Sequence, residues 1–104
     1  MKQITSLYEY QTALEETSLV IDLYADWCTP CKKLLPSLEN LADDYPSILF
    51  VKLNIDQLEE LEIPLVEPET IPCILIMKGG IELERISSTS IEKIENMIQT
   101  YLFM

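Results

Sequence analysis

The chain contains no histidine, only two glycines, and only seven basic residues against 18 acidic ones. Without an imidazole, any proton moved during catalysis must travel by a carboxylate or water. The net charge of −11 leaves no basic face for phosphate contacts, so nucleic acid is not an expected partner. The acidic residues bunch at Glu15–Glu16, Asp43–Asp44, Asp56–Glu62 and Glu67–Glu69. They read as a solvated, self-repelling surface rather than an acidic docking patch. No apolar run approaches the ~20 residues of a membrane span, so no membrane association is expected. Residues 1–6 lack the apolar stretch and small-residue cleavage site of a signal peptide. Three cysteines, an odd number, argue against a secreted disulfide scaffold. The expectation is a single domain over residues 1–104, monomeric, in the reducing cytoplasm.

Against this background, Trp27-Cys28-Thr29-Pro30-Cys31-Lys32 carries the chemistry. Leu19–Ala25 before it is a short apolar run rich in β-branched and aromatic residues, as in a buried strand. After it, Leu34, Leu35, Leu38, Leu41, Ala42 and Tyr45 recur at helical spacing. Pro30 suits a first helical turn, where a missing N–H costs nothing. Cys28 therefore stands at a helix N-terminus, partly exposed, where unpaired N–H groups and the helix dipole favour a thiolate. Cys31 lies one turn inside, on the same face and within reach of a short disulfide ring. Cys28 is the expected attacking thiol and Cys31 the shielded, resolving one. Zinc asks for about four Cys or His ligands, and one further cysteine with no histidine cannot supply them. No metal is expected.

Asp22 interrupts the apolar strand. Inside the protein its charge would be costly and its pKa raised, which suits a proton carrier for Cys31. A strand-end carboxylate turned to solvent is the other reading of the same residue.

The remaining elements follow from pattern. Lys2–Thr5 reads as an edge strand, and Ser6-Leu7-Tyr8-Glu9 as a capping box opening a helix with Leu7, Tyr10 and Leu14 inward. Pro36 is expected to kink the helix headed by Cys28. Ile48–Ile55 is a second core strand, Gln57–Leu61 a short helix, and Ile63–Glu69 a loop. Ile74–Met77 is a third core strand, turned by Gly79-Gly80 into Ile81–Arg85. Thr89-Ser90-Ile91-Glu92 reads as a second capping box, and Ile91, Ile94, Met97, Ile98, Tyr101 and Leu102 form the inner face of the last helix. The order β-α-β-α-β-α-β-β-α implies an α/β fold with a central mixed sheet flanked by helices.

On these residues the chain resembles the thioredoxin family along essentially its whole length. Trp27-Cys28-Thr29-Pro30-Cys31-Lys32 differs from the family's usual active-site hexapeptide only at Thr29, where glycine is customary. The family's buried aspartate matches Asp22, its nearby lysine matches Lys52, and its cis-proline matches Pro72 in Thr70-Ile71-Pro72-Cys73. The resemblance implies the thioredoxin fold and a protein-disulfide reductase cycling Cys28 and Cys31. It implies no bound cofactor, disulfide-containing target proteins, and electrons from NADPH through a flavin-containing thioredoxin reductase. Lys52 would offset the charge of Asp22, or snorkel to solvent. Pro72 would leave neighbouring backbone free to pair with an extended substrate. Trp27, Thr29, Pro30, Ile71 and Cys73 would border the same groove, Trp27 as an apolar wall rather than a core aromatic. Cys73 stands where the family usually has threonine; it reads either as a small buried strand residue or as a third thiol across the groove from Cys28. Tyr24, Ser88 and Glu67-Pro68-Glu69 also depart from the usual pattern, which bears on partner choice. Two alternatives stand beside this reading: a glutaredoxin-like protein served by glutathione, and a non-catalytic module on the same fold.

Overall fold

The structure is a computed structural model and describes residues 1–103. Its elements run β1 (Lys2–Gln3), α1 (Leu7–Leu14), β2 (Ser18–Tyr24), α2 (Thr29–Asp44), β3 (Leu49–Asn54), a 3-10 turn (Ile55–Gln57), β4 (Cys73–Lys78), β5 (Ile81–Ile86) and α3 (Ile91–Leu102). The strands form one sheet in the order β1-β3-β2-β4-β5. β1, β3 and β2 are parallel, while β4 and β5 are antiparallel additions. β2 and β4 are the apolar runs of the sequence, and both are buried along nearly their whole length. Helices on both sides of the sheet explain why those runs lack alternation.

The sheet divides the interior. On one side Leu19, Ile21, Leu23, Val51, Leu53, Cys73, Leu75 and Met77 pack with α1 and with Leu58 and Ile63 of the following loop. On the other, Val20, Phe50, Ile74 and Ile76 pack under α2 and α3 through Leu34, Leu38, Leu41, Ile94, Ile98 and Leu102. Among the described residues no helix is long and apolar enough to cross a membrane.

The local signals are realised with some changes. Ser6 caps α1 by accepting from the Glu9 amide (3.1 Å). Glu9 does not return the bond to Ser6; it accepts from the Thr5 amide and hydroxyl (2.8 and 2.7 Å). α3 is capped by Ser90, which accepts from the Lys93 amide, and not by Thr89. The Ser90 amide is already taken by the Ser88 hydroxyl (3.0 Å), which sets the helix start one residue later. α2 continues unbroken across Pro36. The expected helix at Gln57–Leu61 is instead the 3-10 turn at Ile55–Gln57 followed by turns. Glu62 (φ 58°) ends that stretch: its amide donates to Glu59 and the Ile63 amide to Leu58, a Schellman closure on a left-handed residue.

Candidate active site

Parallel β2 and β3 end at the same edge of the sheet, and the chain between β2 and α2 carries Asp26 and Trp27 across that edge. Cys28 is the N-cap of α2, with extended backbone. Its Sγ accepts from the amide of Cys31 (3.2 Å), doing with sulfur what serine or aspartate does at other caps. Thr29 and Pro30 fill the first two helical positions, and Cys31 stands third. Cys28 and Cys31 are joined as a disulfide, with Cα atoms 5.3 Å apart.

Cys28 was expected to be partly exposed, but it is buried (4 %), as is Cys31 (3 %). The pair packs against Ala25 with Tyr24, Ile55 and Ile71 leaning on it, so in the bonded state the sulfurs turn inward. Trp27 does the opposite: its residue is 66 % exposed, held at the rim by its Nε1 donating to Asp56 Oδ2 (2.9 Å). Asp56 was read only as part of an acidic surface. The signal that could have found it is topological, because a residue just past β3 must arrive beside the turn that follows β2.

Behind the disulfide lies a cavity of about 320 Å³ bordered by Asp22, Tyr24, Asp26, Cys31, Lys32 and Lys52. Asp22 is 2 % exposed, and its Oδ1 has no hydrogen-bond partner. Burial drives its pKa up to about 7, against a smaller opposing pull from Lys52. Lys52 stands opposite Asp22 in the β2–β3 register, but its Nζ lies over the Tyr24 ring, 5.5 Å from the centroid. Lys52 is therefore a partial counter-charge and not an ion-pair partner.

The Ile71–Pro72 bond is cis. Ile71 packs on the cysteines, and Pro72 borders a hydroxyl-lined hollow with Thr70, Ser87, Ser88 and Thr89. Thr29 and Pro30 border a second hollow with Lys33, Ser37, Thr89 and Ile91. Trp27 and Ile71 share a third with Ile55, Asp56, Glu67, Pro68, Glu69 and Thr70. The disulfide thus sits among three shallow surfaces, and Thr89 and Asp56 belong to them, although the sequence marked the first only as a helix cap and the second only as surface charge.

Cys73 does not join this site. It is fully buried in the core on the α1 side, whereas Asp22 pairs in register with Ile74, whose side chain belongs to the opposite core. Successive strand residues point to opposite faces, so a thiol directly after Pro72 is carried away from Cys28. Burial pushes the Cys73 thiol up, with Ser87 and Arg85 pulling weakly the other way. Among the described residues no group of three or more Cys, Asp or Glu side chains is placed to hold a metal.

A family model described as thioredoxin matches residues 2–100. Thioredoxin-2 of Saccharomyces cerevisiae is 34% identical over 86 residues, covering 81% of this chain and 82% of its own. The crystal structure of oxidised mitochondrial thioredoxin 3 from the same yeast superposes with a TM-score of 0.80 at 30% identity, covering 96% and 94% of the two chains. A structure bearing on thiol resolution of yeast mitochondrial 1-Cys peroxiredoxin through glutathione/thioredoxin systems superposes with a TM-score of 0.79 at 28% identity, over 96% and 94%.

Proposed function

The chain belongs to the thioredoxin family and is a dithiol–disulfide oxidoreductase, and on that premise we propose that it works as a reductase of protein disulfides. The observation that carries the exchange chemistry, and names Cys28 as the attacking thiol, is the cap of α2. In the reduced state the amide that now reaches Cys28 Sγ (3.2 Å) and the dipole behind it stabilise a Cys28 thiolate, the better nucleophile and the better leaving group.

In the forward half-reaction, Cys28 attacks one sulfur of a target disulfide. A mixed disulfide forms and the other target sulfur leaves as a thiolate, which takes a proton from water. Cys31 loses its proton through water to Asp22, attacks Cys28 Sγ and closes the Cys28–Cys31 disulfide. The second target thiolate departs and is protonated. Two electrons pass from the protein dithiol to the target; of the two protons the target thiols gain, one comes from water and the other is the Cys31 proton handed back by Asp22. Asp22 serves this step because its pKa near 7 lets it both take and return a proton. Lys52 keeps that value from rising further.

Trp27, Thr29, Pro30, Ile71 and Pro72 form the surface on which the target lies; backbone at Ile71 and Pro72 pairs with its extended chain. The relative associated with peroxiredoxin supports oxidised thiol proteins as targets. Re-reduction reverses the cycle, with electrons from NADPH delivered by a flavin-containing thioredoxin reductase. The protein acts as a monomer in the cytoplasm, where a reducing poise keeps such a dithiol charged.

The test is insulin reduction coupled to NADPH oxidation. Turnover with thioredoxin reductase and little with glutathione plus glutathione reductase is the expected result; the reverse pattern overturns the electron source. Cys31→Ser should trap target proteins as mixed disulfides on Cys28, and Cys28→Ser should trap none.

A further inference from the structure

Beside the buried disulfide lies an apolar groove of about 400 Å³. Trp27, Ile55, Pro68 and Ile71 make its walls, and Asp56, Glu67 and Glu69 stand exposed along its rim. Among the described residues the two ion pairs are Lys2–Glu9 and Arg85–Glu82; neither engages the rim carboxylates, although Arg85, already paired with Glu82, borders the adjoining hollow with Glu67 and Glu69. The Trp27 indole uses only Oδ2 of Asp56. The hollow on the other side of the disulfide has the opposite character, with Lys33 and the hydroxyls of Thr29, Ser37 and Thr89.

We infer that this groove selects target segments carrying lysine or arginine next to the reacting cysteine. An extended chain lying over Ile71 and Pro72 would pass from the Lys33 side to the Trp27 side. Its apolar portions cover the indole and Ile71, while its cations meet three carboxylates that otherwise repel one another beside low-dielectric walls. Charge complementarity of this kind raises encounter rates and orients the partner more than it tightens binding. The inference rests on the reductase reading and adds a substrate class to it. The net charge of −11 attracts cations everywhere, so the groove must be told apart from the general field.

Three disulfide-bonded peptides that differ only in lysine, glutamate or alanine flanking the cysteine make the comparison. At low ionic strength kcat/KM should favour the lysine peptide over the glutamate one by about tenfold, shrinking to about twofold in 0.5 M salt. Glu67→Gln with Glu69→Gln should cut that lysine-to-glutamate ratio at least threefold, a ratio in which any change common to all three peptides cancels. Glu15→Gln with Glu16→Gln removes the same charge before β2, at the far end of the sheet, and should leave the preference intact. A lysine-to-glutamate ratio near one, or equal loss in both double variants, overturns the groove's role. Failure to reduce even the alanine peptide would instead strike the reductase reading itself.

Discussion

Asp22 and Lys52 face each other across the β2–β3 ladder, yet Asp22 keeps an unpartnered Oδ1 and Lys52 leans onto Tyr24. The carboxyl is therefore held near a pKa of 7 chiefly by burial. In the unfolded chain it titrates near its ordinary 3.8, so between those values the native state binds the extra proton. Stability is then greatest below pH 4 on this group's account and falls as pH rises through 7. Asp22→Asn should raise stability by about 4 kcal/mol at pH 8 and by well under 1 kcal/mol at pH 4. Denaturant midpoints at the two pH values check this. The same variant should slow turnover and flatten the pH–rate profile near 7; an unaltered profile would remove Asp22 from proton transfer.

Cys73 lies in the α1-side core with no exposed surface. In the oxidised native protein a thiol reagent should titrate no sulfur within minutes, and one per chain after unfolding. Cys73→Ala should cost about 1–2 kcal/mol through lost contacts while insulin reduction stays within twofold of the parent. A rapidly reacting native thiol would contradict the burial.

The Trp27–Asp56 bond offers a direct optical readout, since Trp27 is the chain's only tryptophan. Asp56→Ala should lower its fluorescence anisotropy and cost about 1 kcal/mol or less, because the bond is exposed. Unchanged anisotropy would mean that packing and not this bond fixes the indole.

Glu62 occupies a left-handed conformation (φ 58°) that disfavours every side chain with a Cβ. Glu62→Gly should stabilise the protein by about 1 kcal/mol, read as a higher denaturant midpoint at constant m-value. A loss of stability would show that the glutamate makes a contribution beyond its backbone.

The sequence made the head of α2 legible because Cys28, Thr29, Pro30 and Cys31 are each suited to one cap position. It made β2 and β4 legible because their apolar runs are too short for anything but buried strands. Which side of the sheet Cys73 faces was not legible for the same reason. A strand buried on both faces carries no alternation, and Cys73 and Ile74 are equally apolar in character. The end of α3 nearest the site was ambiguous because Thr89 and Ser90 are both good caps; only the Ser88 hydroxyl bond decides between them. The stretch at 57–61 had helix-like leucine spacing, but the left-handed turn at Glu62 closes the segment before an α-helix is established. Asp56 escaped notice because its role depends on a residue 29 positions away, a separation bridged only by the parallel pairing of β2 and β3.

The partition of the interior by the sheet bears on how such a protein can diverge. The cysteines at the head of α2 sit in a small cluster of their own with Ala25, Tyr24, Ile55 and Ile71, while Cys73, α1 and the loop through Ile63 share the α1-side core, with Ile55 common to both. Substitutions in two cores that share few contacts add nearly independently. Lineages can therefore rework the α1 compartment, Cys73 included, while the dithiol site at the head of α2 stays unaltered.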